Sequence, residues 1–95
     1  MSETPIYNVH EIHYDATKQA PLQDRSGLPF QPSRLKIAFH DGRMSYVCAK
    51  GPAIRKNGSL GSSERYRLYT DRRQLTSDTP DWVREFVNVA LGVAA

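Results

Sequence analysis

The sequence predicts an α+β domain, a small antiparallel sheet of three to four strands packed by one C-terminal helix, and three stretches carry that prediction. "RLKIAFHDGRMSYVCAK" alternates in hydropathy on both sides of an Asp-Gly pair, the pattern of a β-hairpin over residues 35–48. "ERYRLYT" alternates again farther along the chain. "SDTPDWVREFVNVALG" then switches to helical spacing behind N-terminal helix signals. With 95 residues, the chain has material for one core and is read as a single small domain, 1–95.

The elements follow in order. "PIYNVHEIHYD" is rich in aromatic and β-branched residues but has no cleanly apolar face, which fits an edge strand. "ATKQAPLQDRSGLPFQPS", residues 16–33, holds three prolines and follows neither period, so it reads as a long proline-containing connection. In the hairpin, Asp41-Gly42 supplies the two positive φ values of a type I′ turn. A two-residue turn there pairs His40 with Arg43, Phe39 with Met44, Ile37 with Tyr46 and Leu35 with Cys48. Leu35, Ile37, Phe39, Met44, Tyr46 and Cys48 would then share the apolar face, with Lys36, His40 and Arg43 on the other.

Residues 51–63 contain three glycines and three serines and read as a Gly/Ser-rich basic loop. The strand after it sets Tyr66 and Leu68 against Arg65 and Arg67, with Tyr69 on the arginine face. For the helix, expected at about 80–91, Thr79 is the N-cap, Pro80 takes the first helical position, and Asp81 favours the positive terminus. Trp82, Val83, Phe86, Val87, Val89 and Ala90 make its apolar stripe. The hairpin and helix are expected to pack through Phe39, Tyr46, Trp82 and Phe86.

Charge is distributed unevenly. Residues 1–49 balance five Lys/Arg against five Asp/Glu, residues 50–73 carry seven against two, and residues 74–95 carry one against three. The excess positive charge therefore sits in the middle segment. No apolar run approaches a membrane span, and the N-terminal stretch has neither a basic nor an apolar leader region. One cysteine, Cys48, makes no internal disulfide, so a reducing cytoplasm is the expected compartment.

Catalytic patterns fail one by one. His10 and His13 in "HEIH" lie on opposite faces of a strand and do not converge on a metal. The hairpin register sets Cys48 and His40 on opposite faces, which removes a nucleophile and base pair. "GSLGSS" lacks the Lys-Ser or Lys-Thr ending of a phosphate-binding loop. No enzyme activity, metal or cofactor is expected.

Binding is the remaining class. Lys50, Arg55, Lys56, Arg65, Arg67, Tyr69, Arg72 and Arg73 are the candidate residues, with the amides of Gly51, Gly58 and Gly61 offering an anion-binding concavity. Cations interleaved with an aromatic suit a phosphate backbone and a stacked base, so nucleic acid or another polyanion leads. The alternative is a regulatory protein contact, either an acidic protein surface or a homodimer formed through an open sheet edge. A merely solvated loop has the same composition.

The order of a strand, "KGP", the basic "RKNG" with "LG" after it, a short strand and finally "TPDWVREFV" resembles small uncharacterised proteins of actinobacteria and their phages. The resemblance covers the C-terminal half and implies a small accessory or phage-type protein. It carries over no activity, cofactor or catalytic residue.

Overall fold

Residues 9–94 are described by the structure, a computed structural model. In chain order they form β1 (Val9–Asp15), β2 (Leu22–Gln23), β3 (Pro29–Phe30), β4 (Arg34–His40), β5 (Arg43–Ile54), β6 (Leu60–Leu68), β7 (Thr70–Asp71), β8 (Gln74–Leu75) and α1 (Asp81–Ala94). This is a small α+β domain, an antiparallel sheet with a single C-terminal helix, and strands dominate it. The first predicted strand begins upstream of Val9, and that part lies outside the described residues.

The long strand β5 organises the sheet. Along one edge it pairs first with β4 and then, at Phe30 opposite Ala53, with β3. Along its other edge it pairs with β6. β4 pairs with β1 and β3 with β2, so six strands belong to the sheet, while β7 and β8 form a separate two-stranded ribbon.

Asp41 (φ 52°) and Gly42 (φ 77°) make the turn that the Asp-Gly pair predicts. Beyond it the expected register fails. Phe39 faces Met44, but Ala38 faces Tyr46 and Ile37 faces Val47, so Ser45 is an extra residue in β5. One inserted residue reverses the parity of everything after it. Val47 and Ala49 consequently join Leu35, Ile37 and Phe39 in the core, whereas Tyr46 and Cys48, expected there, turn to the other face.

The helix covers this inner face. Val83, Val87 and Ala90 are buried, and Phe86 reaches Tyr14 of β1 with ring centroids 4.7 Å apart. Trp82 is only half-buried and meets Phe86 edge-on at 6.1 Å, so it borders the core. Val89, expected in the buried stripe, is exposed. The start also differs by one position: the Pro80 carbonyl accepts from the amides of Val83 and Arg84, and the Thr79 hydroxyl donates to the Thr76 carbonyl at 2.8 Å instead of capping the first turn.

Two segments read as loops are ordered parts of the sheet. Residues 16–33 hold β2 and β3 and bury Ala16, Phe30 and Pro32. Asp24 closes their turn by accepting the Ser26 and Leu28 amides on one carboxylate oxygen, both at 2.9 Å. Gln31 and Ser33 bond the Pro52 and Lys50 carbonyls, which lays the segment along β5 as a strap. Residues 51–63 are mostly strand, and only Arg55–Ser59 turn the chain between β5 and β6. Gly51 sits in the middle of β5 because the strap crosses there: a Cβ on it would lie 1.9 Å from the Gln31 carbonyl oxygen.

Candidate polyanion-binding face

Strand parity decides which charged side chains reach solvent. β6 pairs Arg67 with Ala49 and Arg65 with Gly51, so both arginines are on the inner side of the sheet, under the strap. There they donate to carbonyls that the strap leaves over: Arg65 Nη1 to Pro29 O at 2.7 Å and Arg67 Nη1 to Asp24 O at 3.2 Å. Arg67 also pairs with Asp78, which in turn accepts from the Thr76 hydroxyl. Tyr69, on the same side, is 3% exposed and belongs to the core, with the Arg67 guanidinium 5.9 Å from its ring centre. It is closed to a stacking base.

The remaining predicted residues are spread along the molecule. Lys50 is on the outer face, its Nζ 4.0 Å from Glu64. Arg55 and Lys56 are exposed in the β5–β6 turn. That turn is self-satisfied, with Gly58 N bonded to Arg55 O and the Asn57 carboxamide oxygen accepting from Ser59, and Gly51 and Gly61 lie in strands. The expected glycine concavity is therefore not built. Arg72 and Arg73, at φ 51° and 66°, form the β7–β8 turn. Arg73 donates to the His40 and Met44 carbonyls, both at 3.3 Å. From Met44 to Arg55 along β5 is about 36 Å, so the two arginine-bearing turns are at opposite ends.

The face that does assemble is the outer one, which α1 does not cover. Register places Asp15, Arg34, Lys50 and Tyr66 in one row across four strands, and His13, Lys36, Cys48 and Leu68 in the next. Tyr66 is 65% exposed beside Lys50. In the third row Tyr46 donates to Glu11 at 3.0 Å, while Lys36 Nζ lies 3.6 Å from Glu11 and 5.3 Å from the Tyr46 ring centre. The Tyr46 hydroxyl, and after it Lys36, hold the Glu11 carboxyl below its usual range. These pairs are exposed enough for solvent to screen them.

Arg34, Lys36, Tyr46 and Tyr66 were missed by sequence reasoning. For Arg34, Lys36 and Tyr66 the signal is the strand alternation itself, whereas for Tyr46 it is legible only once the bulge at Ser45 is counted. Cys48 shares this outer face with His40, contrary to the expected opposition, but its partner Lys36 lies four residues, about 13 Å, from His40 along β4. Burial raises the Cys48 pKa, which keeps the thiol protonated. Among the described residues no cluster of three His, Cys, Asp or Glu side chains could hold a metal, and no helix is long and apolar enough to cross a membrane.

The Thr76–Asp78–Arg67 link has a pH signature. The Thr76 hydroxyl first, and Arg67 second, lower the Asp78 pKa. A depressed carboxylate contributes stability above its unfolded pKa, about 4, and that contribution is lost as pH falls through the lower folded value. In chemical denaturation measured from pH 7 to pH 2, Asp78→Asn should therefore lower stability at neutral pH and narrow its gap to wild type under acid. A gap that is constant with pH would remove the link.

No protein family, curated protein or solved structure matches this chain.

Proposed function

We propose that the protein is a non-catalytic binding module for single-stranded nucleic acid or a similar polyanion, which it meets with the outer sheet face and the adjoining β5–β6 turn. The supporting observation is the row Arg34, Lys50 and Tyr66 on an uncovered face, with Arg55 and Lys56 exposed at the end of the same hairpin. An open sheet with an exposed aromatic at the end of a row, beside Lys50 and one strand beyond Arg34, gives a base a surface to stack on and its phosphates charges to neutralise. Arg65, Arg67 and Tyr69 drop out of this reading because they hold the strap and core. An accessory, phage-type setting, as the resemblance of the C-terminal half implies, suits such a module.

The test is anisotropy of a labelled oligothymidylate titrated at several salt concentrations. Arg34→Gln, Lys50→Gln, Arg55→Gln and Lys56→Gln should each flatten the slope of log affinity against log salt by about 0.7 per lost phosphate contact. Tyr66→Ala should weaken binding by roughly 1 to 3 kcal/mol. Arg67→Gln should lower stability with little change in the slope. Absence of binding at low salt, or a slope unaffected by all four substitutions, rejects the proposal.

A further inference from the structure

We propose that two copies of this chain associate through β1, antiparallel strand against strand, about a two-fold axis that passes between their Ile12 residues. The two copies would then form one continuous sheet with both helices on the same side.

The first support is an edge that is unpaired among the described residues. β1 pairs with β4 alone, and among the described residues nothing bonds the backbone on its other side. Which groups face that side follows from the ladder. The Tyr69 amide donates to Val47 O and the Val47 amide to Thr70 Oγ1, so Val47 bonds away from β4. Alternation then turns Tyr46, Cys48 and Lys50 toward β4, and Leu35, Ile37 and Phe39 toward β1. His10, Ile12 and Tyr14 receive those bonds, and the amides and carbonyls of Glu11, His13 and Asp15 point outward. β1 has no proline, lysine or bulge to resist pairing; its charged side chains are Glu11 and Asp15, both on the outer face.

Charge then selects the register. A two-fold antiparallel pairing must match outward groups with outward groups, which leaves three central registers. One sets Glu11 against Glu11 of the second copy, and another sets Glu11 against Asp15 and His13 against His13. Like charges directly opposite are destabilising. The third sets Glu11 against His13 twice, on the outer face, and brings Ile12 to Ile12 and His10 to Tyr14 on the inner one.

The helix supplies an independent indication of the same partner. Trp82, Phe86, Val89 and Val93 recur at helical spacing on one side of α1. Phe86 lies on Tyr14, so this side leans toward the β1 edge, yet Val89 is 56% and Val93 69% exposed. With strands about 4.8 Å apart, helices lying over β1 and β4 of each copy come within roughly 10 to 14 Å across the axis. The two apolar sides then face one another. The exposed helix side and the strand edge left unpaired among the described residues are thus completed by one partner, a second copy, in an isologous contact.

The inference does not depend on nucleic-acid binding and is tested without it. Sedimentation equilibrium of the full chain should show a monomer–dimer equilibrium. His13→Glu sets two carboxylates opposite two others and should weaken the dimer on the order of tenfold, and adding Glu11→Lys should restore it. In a Cys48→Ser background, Ile12→Cys should oxidise to a cross-linked dimer, because directly opposed residues in a non-hydrogen-bonded pair have Cα atoms about 4.5 Å apart. Glu11→Cys, which lies two residues from its own mate's partner position, should cross-link far more slowly, with circular dichroism confirming that each variant is folded. A strict monomer at high micromolar concentration overturns the proposal. So does a dimer whose Ile12→Cys form cross-links no faster than its Glu11→Cys form.

Discussion

Gly51→Ala should destabilise the protein by about 3 kcal/mol or more, at the upper end for an added methyl group in a packed interior. The new Cβ would lie 1.9 Å from Gln31 O, 2.8 Å from Ser33 N and 2.9 Å from Gln31 C. All three are backbone atoms, so no side-chain rotation relieves the overlap. The strap has to lift from β5, which breaks the Ser33 N to Lys50 O bond at 2.8 Å and the Gln31 N to Pro52 O bond at 2.9 Å. Phe30, fully buried, is withdrawn with it. Urea denaturation gives the loss of stability, and faster proteolysis within residues 16–33 locates it. Gly61→Ala is the control, since a Cβ there meets its nearest atoms at 3.5 Å, an ordinary contact, and should change stability by less than about 1 kcal/mol. Equal effects at the two glycines would show that the strap is not seated across β5.

Gly51 also shows how far the sequence could be read. A glycine among prolines, serines and lysines suggests a mobile loop, and the predicted loop at 51–63 followed from that association. Its role is set by a segment about twenty residues earlier, whose backbone occupies the space where a side chain would be. No local pattern carries that information. The same holds for Arg65, Arg67 and Tyr69: their shared face is legible from strand alternation, but the strap turns that face into the interior. The arginines are accommodated there because the strap's carbonyls accept their protons.

Features encoded by near neighbours were legible. Asp41-Gly42 marks its turn, and the sequence from Thr79 through Leu91 marks the C-terminal helix, because turn conformations and amphipathic spacing are local properties. The antiparallel sheet with one helix follows from those two elements. The outer face was less accessible, since a single residue, Ser45, exchanges the roles of Tyr46 and Val47. Nothing in "GRMSYVCAK" distinguishes a bulge from regular pairing, as both leave an alternating apolar series.

That exchange gives the second large effect. Phe39→Ala should cost roughly 3 to 5 kcal/mol, because Phe39 is fully buried at the centre of the inner face, and removing its ring leaves a cavity that β4 and α1 cannot readily close. Its ring also stacks on His10 of β1 at 5.3 Å, so the edge strand loosens with it. Tyr46→Ala is the informative companion. In a regular hairpin Tyr46 would be a core residue beside Phe39 and its loss would cost about as much. With the extra residue at Ser45 it is on the outer face, where truncation removes only a solvent-screened hydrogen bond to Glu11 and the contact with Lys36, a much smaller loss. Equilibrium denaturation of the two variants therefore separates the registers. A Tyr46→Ala loss equal to that of Phe39→Ala would place Tyr46 in the core and return Cys48 there too. The row Arg34, Lys50 and Tyr66 depends on the same parity, so that result would also dismantle the binding face.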